Sequence, residues 1–103
     1  MRPRPTAFGW VDPEISTAPT WDQARIQRLA RHLGYLIIWP EPSIVPLPDQ
    51  VRATDTDVLI TPAPEHLTVL TINALLNFVD VEILSPRLSF TRWSMISSGQ
   101  FER

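Results

Sequence analysis

The chain predicts a single α/β domain: a mostly parallel sheet of four to five strands with helices on both faces, in three layers. Three observations lead there. The short apolar runs are apolar at nearly every position, the pattern of strands covered on both sides. They alternate with segments of helical periodicity, which favours parallel strands joined by right-handed crossovers. And 103 residues at 44% hydrophobic suffice for one core and one domain, too apolar for a disordered chain. The domain spans residues 1–103, with residues 1–5 and 97–103 expected as tails.

The elements follow in order. "TAFGWV", residues 6–11, reads as the first strand, and "DPEISTAP" as a loop. "TWDQ" offers a capping box, with Thr20 accepting from the Gln23 amide and Gln23 reaching back. Ile26, Leu29, Ala30 and Leu33 then recur at helical spacing, with Arg25, Arg28, Arg31 and His32 on other faces. Gly34 fits the left-handed position just past the helix end. "YLIIW", residues 35–39, reads as a second strand buried on both faces.

"PEPSIVPLP" holds four prolines in nine residues, which excludes a regular helix or an interior strand. A helical turn fits residues 49–54. "DVLIT" is the third strand. Pro64 and Glu65 suit the first turn of a helix whose buried face would carry Leu67, Leu70, Ala74, Leu75 and Phe78. The β-branched "LTVLTI" makes a strand the rival there. "VEIL", residues 81–84, is the fourth strand. Residues 87–96 form either a fifth strand or a docked tail, with Leu88 and Phe90 alternating before Trp93 and Ile96.

Composition narrows the function. Nine basic against eleven acidic residues give a formal net charge of −2. A protein devoted to duplex DNA usually carries a basic excess, because affinity comes largely from neutralised phosphates. There is no cysteine, hence no disulfide and no thiolate chemistry, which is compatible with a reducing cytoplasm. No apolar run approaches the roughly 20 residues that span a bilayer, and "MRPRPTAFGW" lacks a signal-peptide stretch. A cytoplasmic location is the expectation, with no membrane association.

With the order of elements laid out, "FGWVDPEISTAPTWDQARIQRLARHLGYLII" resembles the opening of the serine recombinase (resolvase/invertase) catalytic domain: a strand of the type G-Y-x-R-V-S-T, a helix carrying glutamines, a glycine and a second strand. "DTDVLITPAPEHLTVL" is similar to that family's next block, D-x-L-V-V, a turn, then D-R-L-x-R. "VDVEILSP" resembles its G-V-x-L-x-S strand. The resemblance covers about residues 7–86 and lies in hydrophobic pattern and spacing.

The resemblance implies a serine that attacks a DNA phosphate, with arginines stabilising the phosphoryl charge. Matched from Gly9 without gaps, the arginine falls on Asp12 and the serine on Glu14; with two extra residues, "IST" replaces V-S-T and Ser16 becomes the nucleophile candidate. In the later block the aspartate falls on Glu65, the first arginine on His66 and the second on Val69. The arginine-proline element has no counterpart in "SIVPLPDQ". Phosphoryl transfer relies on positioning and charge stabilisation, and one arginine finger contributes about 10³–10⁵ in rate. Without its clamps Ser16 is expected to be inert.

Electrostatics leads the same way. In a parallel sheet the loops after the strands share one edge, which here gathers Asp12, Glu14, Glu41 and Glu65 with His66. Such an edge repels phosphate. Each residue also has a plain structural reading. Ser16 suits a turn or cap. His66 suits a solvated first helical turn, and His32 the last turn of its helix. The scattered acids show no D-x-D spacing with glycine, so neither a metal nor another cofactor is expected. "PEPSIVPLP" reads as a rigid connection before a polyproline ligand. Trp10 and Trp39 are expected in the core, Trp21 as a staple of the turn leading into the first helix, and Trp93 in the core or against a partner.

Three function classes remain. One is a non-catalytic recombinase-like domain used as a protein-binding or regulatory module, with a protein partner or self-association and no nucleic acid. Another is a DNA strand-exchange protein using Ser16. The last is a small metal-dependent or acid/base enzyme using Glu65 and His66.

Overall fold

The structure, a computed structural model, describes residues 4–93. It holds β1 (Thr6–Gly9), α1 (Pro19–Leu33), β2 (Leu36–Ile38), α2 (Leu47–Thr54), β3 (Val58–Thr61), a 3-10 turn (Pro64–His66), α3 (Val69–Leu75), β4 (Asp80–Ile83) and β5 (Leu88–Phe90). The strands form one sheet in the order β2-β1-β3-β4-β5. All neighbours are parallel except β4 and β5, which pair antiparallel with Val81 opposite Phe90. The fold class expected from the sequence is therefore the one observed, and residues 88–90 of the ambiguous C-terminal segment are a strand. Ile96 lies outside the described residues.

Two cores sandwich the sheet. Side chains alternate along each strand, so Phe8, Leu59 and Val81 face α2 and α3, while Ala7, Val58 and Ile60 face α1. On one side Phe8 and Leu59 meet Val51 of α2 and Leu75 of α3. On the other, Ile26 and Ala30 of α1 pack on Ala7, Val58 and Ile60. β1 and β3 are buried at every position, which is why they read as continuous apolar runs. Helix α1 covers β2, β1 and β3. Beyond it, β4 turns Asp80 and Glu82 outward, and two arginines hold them. Arg87 Nη1 donates to Glu82 at 2.6 Å. Arg92 donates to Asp80 Oδ1 through Nε at 3.1 Å and to the Asp57 carbonyl through Nη2 at 2.7 Å. Arg92 thus anchors the chain after β5 to the amino-terminal ends of β3 and β4. Burial pushes the Tyr35 phenol above its ordinary value, and the charges of Asp80, Glu82 and Asp57 add to this while Arg92 opposes it.

Several sequence expectations need correction. β1 ends at Gly9, two residues early. The capping box does not form: α1 begins at Pro19, one residue before Thr20, and the proline takes the first-turn position where an amide would go unused. Leu33 is exposed at the helix end. "YLIIW" is not covered on both faces. It is a three-residue edge strand with Leu36 exposed, because β2 takes the margin of the sheet, outside β1. Helix α2 starts at Leu47, with Pro46 as its N-cap and Pro48 within the first turn, so the prolines start the helix instead of delaying it.

The third helix is broken in two. Leu67 is extended (φ −132°, ψ 146°), and the chain restarts at Thr68, whose hydroxyl accepts from the Thr71 amide at 3.1 Å. This restart turns Leu70 to solvent, 81% exposed, and leaves Leu75 as the buried residue of α3; the rival strand does not form. Trp21 and Trp93 are also outside the core, at 60% and 51% exposure.

Gly34 closes α1 as expected. Its φ is +85°, its amide donates to the Arg31 carbonyl at 3.1 Å, and the Tyr35 amide donates to Ala30 at 2.8 Å. A side chain here would find open space but an unfavourable backbone. Gly34→Ala is expected to cost about 1–2 kcal/mol from the left-handed conformation alone. Gly34→Asn should lose less, and equal urea midpoints for the two variants would contradict this reading.

Candidate functional site

The loops after β1 and β3 leave for opposite faces of the sheet, one into α1 and the other towards α3. Open α/β sheets hold ligands in the crevice at such a switch point. Here that crevice is a cleft of about 440 Å3 lined by Ser16, Asp22, Arg25, Glu65, His66 and Ser85 among others. The three residues singled out from the sequence, Ser16, Glu65 and His66, therefore line one cleft.

The β1 loop is built by Asp12. Its carboxylate accepts from the Glu14 amide at 3.0 Å, and its carbonyl accepts from the amides of Ile15 and Ser16 at 3.0 and 2.9 Å. This is the turn chemistry that short acidic side chains favour. It delivers Ser16 to the start of α1. There the Ser16 hydroxyl donates to Asp22 Oδ2 at 2.6 Å and accepts from the Ala18 amide at 3.2 Å. Both the proton and a lone pair of the hydroxyl are engaged in holding the first turn of the helix.

The positive charge in the cleft comes from Arg25. Its Nη1 lies 3.7 Å from Asp22 Oδ1, one helical turn away. The carboxylate that holds Ser16 thus also neutralises the guanidinium. No other arginine or lysine lines the cleft among the described residues. Asp22 and Arg25 were not singled out from the sequence, although their spacing by three on α1 is the signal of a helical ion pair.

His66 departs from its expected role. It is buried at 7% exposure rather than solvated, in the 3-10 turn after β3. Its Nδ1 accepts from the Asp12 amide at 2.9 Å, so the proton of the neutral ring is on Nε2. Its carbonyl accepts from the Trp10 indole at 3.1 Å, and Thr61 Oγ1 donates to the Trp10 carbonyl at 3.0 Å. These bonds stitch the β1 loop to the β3 loop across the switch point. Glu65 stays exposed at the rim. His32 is exposed in the last turn of α1, as expected.

No group of three His, Cys, Asp or Glu side chains is placed to hold a metal ion among the described residues. No helix among them is long and apolar enough to cross a membrane. The chain matches no protein-family model, no curated protein and no solved structure.

Proposed function

We propose that this domain is a non-catalytic, recombinase-like α/β module that works by binding another protein. The observation that carries the reading is the state of Ser16. Its hydroxyl is bonded to Asp22 at 2.6 Å, and the adjacent Arg25 is paired with the same carboxylate. Asp22 is placed to take the Ser16 proton, but an attacking serine also needs cations that stabilise the phosphoryl oxygens, and the one arginine lining the cleft among the described residues is paired with that carboxylate. Asp22 places a negative charge where an incoming phosphate would need a positive one. Glu65 at the rim adds to the repulsion.

The binding role rests on apolar side chains left in water. Val69 and Leu70, at 75% and 81% exposure, open α3; Ile44 and Val45, at 103% and 45%, precede α2. Helices α2 and α3 pack against one another, so both pairs belong to the same side of the domain. Large apolar side chains left exposed in adjacent pairs are the material of interaction surfaces.

The test incubates the purified protein with supercoiled DNA and looks for a covalent serine–DNA adduct. No adduct is expected, and no sub-micromolar DNA affinity at low salt. A Ser16-dependent adduct would overturn the proposal. Ser16→Ala should instead act on stability, costing about 0.5–1.5 kcal/mol, the scale of a lost intramolecular hydrogen bond. An unchanged urea midpoint would show that the Ser16 bonds contribute nothing.

A further inference from the structure

A second cleft, of about 350 Å3, opens between the carboxyl ends of β1 and β2, beside the proline-rich loop. Its size falls within the range of small-molecule sites, about 300–1,000 Å3. Two tryptophans line it from opposite faces of the sheet. Trp10 packs against the core under α2 and α3, and Trp39 against the core under α1. The polar edge of Trp10 is already used, since its indole N–H donates to the His66 carbonyl at 3.1 Å. Trp39 rests on Gly9, whose missing side chain gives the ring its seat.

The sign of the charge selects the ligand. Glu41 is the one charged side chain lining this cleft among the described residues, and no arginine or lysine joins it. The faces of the indole rings carry negative quadrupole density. An anion would meet repulsion from Glu41 and from the ring faces, with no cation to offset it. A neutral apolar molecule would gain nothing from Glu41. A cation with an apolar skin gains from both, through cation–π attraction and through the carboxylate. Gln50 also lines the cleft, held there by its amide nitrogen, which donates to the Val45 carbonyl at 2.6 Å.

We infer that this cleft binds a small organic ammonium ion, its alkylated head beside Trp10 and Trp39 and its charge near Glu41. The site is separate from the Ser16 cleft and does not depend on whether that cleft is inert.

The test titrates the full chain with choline and follows the indole N–H signals by NMR. Choline is expected to shift the Trp39 and Trp10 signals saturably. Its neutral carbon isostere, 3,3-dimethylbutan-1-ol, should bind at least about tenfold more weakly, the scale of a desolvated cation–π contact. Glu41→Gln should weaken choline severalfold and leave the isostere unchanged. Trp39→Leu should abolish choline binding; circular dichroism reports whether it folds, and Trp39→Phe, which keeps a weaker π face, should bind at reduced affinity if it does not. Equal affinity for the two probes, no effect of Glu41→Gln, or no saturation below about 100 mM choline would overturn the inference.

Discussion

Phe8→Ala is expected to remove most of the stability of this domain. Phe8 lies in β1, an interior strand, at 1% exposure, in one core cluster with Val51, Leu59, Leu75 and Val81. Truncating a buried phenylalanine costs about 3–5 kcal/mol, the transfer term plus the cavity left behind. The walls of this cavity are two neighbouring strands and two helices, which limits collapse. A small domain has about 5–15 kcal/mol in total, so the variant should populate its unfolded state measurably at 25 °C. Urea unfolding checks this. A midpoint shift worth less than about 1 kcal/mol would mean that Phe8 is not packed as described.

Gly9→Ala is expected to have the next largest effect, by a different route. A Cβ at Gly9 would lie 2.7 Å from Trp39 Cε3 and 2.8 Å from Cη2. No native Cβ tolerates such distances, so the indole must leave its seat. Overpacking of this kind costs about 1–3 kcal/mol. The displaced ring should show redder fluorescence. In the double variant Gly9→Ala/Trp39→Leu the clash has no partner, so the two losses should add to less than their sum. Strict additivity would refute the contact.

Much of this architecture was legible in the residues. β1 and β3 declare burial on both faces by being apolar throughout, and Gly34 declares the end of α1 because only glycine adopts its backbone cheaply. The meeting of Asp12, Glu65 and His66 at one edge followed from parallel strands alone. What stayed hidden depends on partners far away in the chain. "YLIIW" looks interior, yet lateral position in a sheet is a property of the whole topology. His66 is buried because an amide 54 residues away supplies its hydrogen bond. The frame of α3 was masked because the β-branched cluster hides a threonine cap at Thr68. Ser16 is a different case, because the partner of its hydroxyl lies only six residues on, outside the matched motif. The motif names Ser16, and the structure adds that its hydroxyl donates to the Asp22 carboxylate.

Both margins of the sheet are three-residue strands, Leu36–Ile38 and Leu88–Phe90. An unpaired margin is a template on which another chain can grow, and the hazard rises with its length. Prolines follow β2 closely, at 40 and 42, and Pro86 precedes β5, so proline limits the growth of each margin at one end. The longer apolar strands, which would polymerise if bared, are kept inside. Placing the shortest strands at the margins is one of the ways a sheet limits fibre growth.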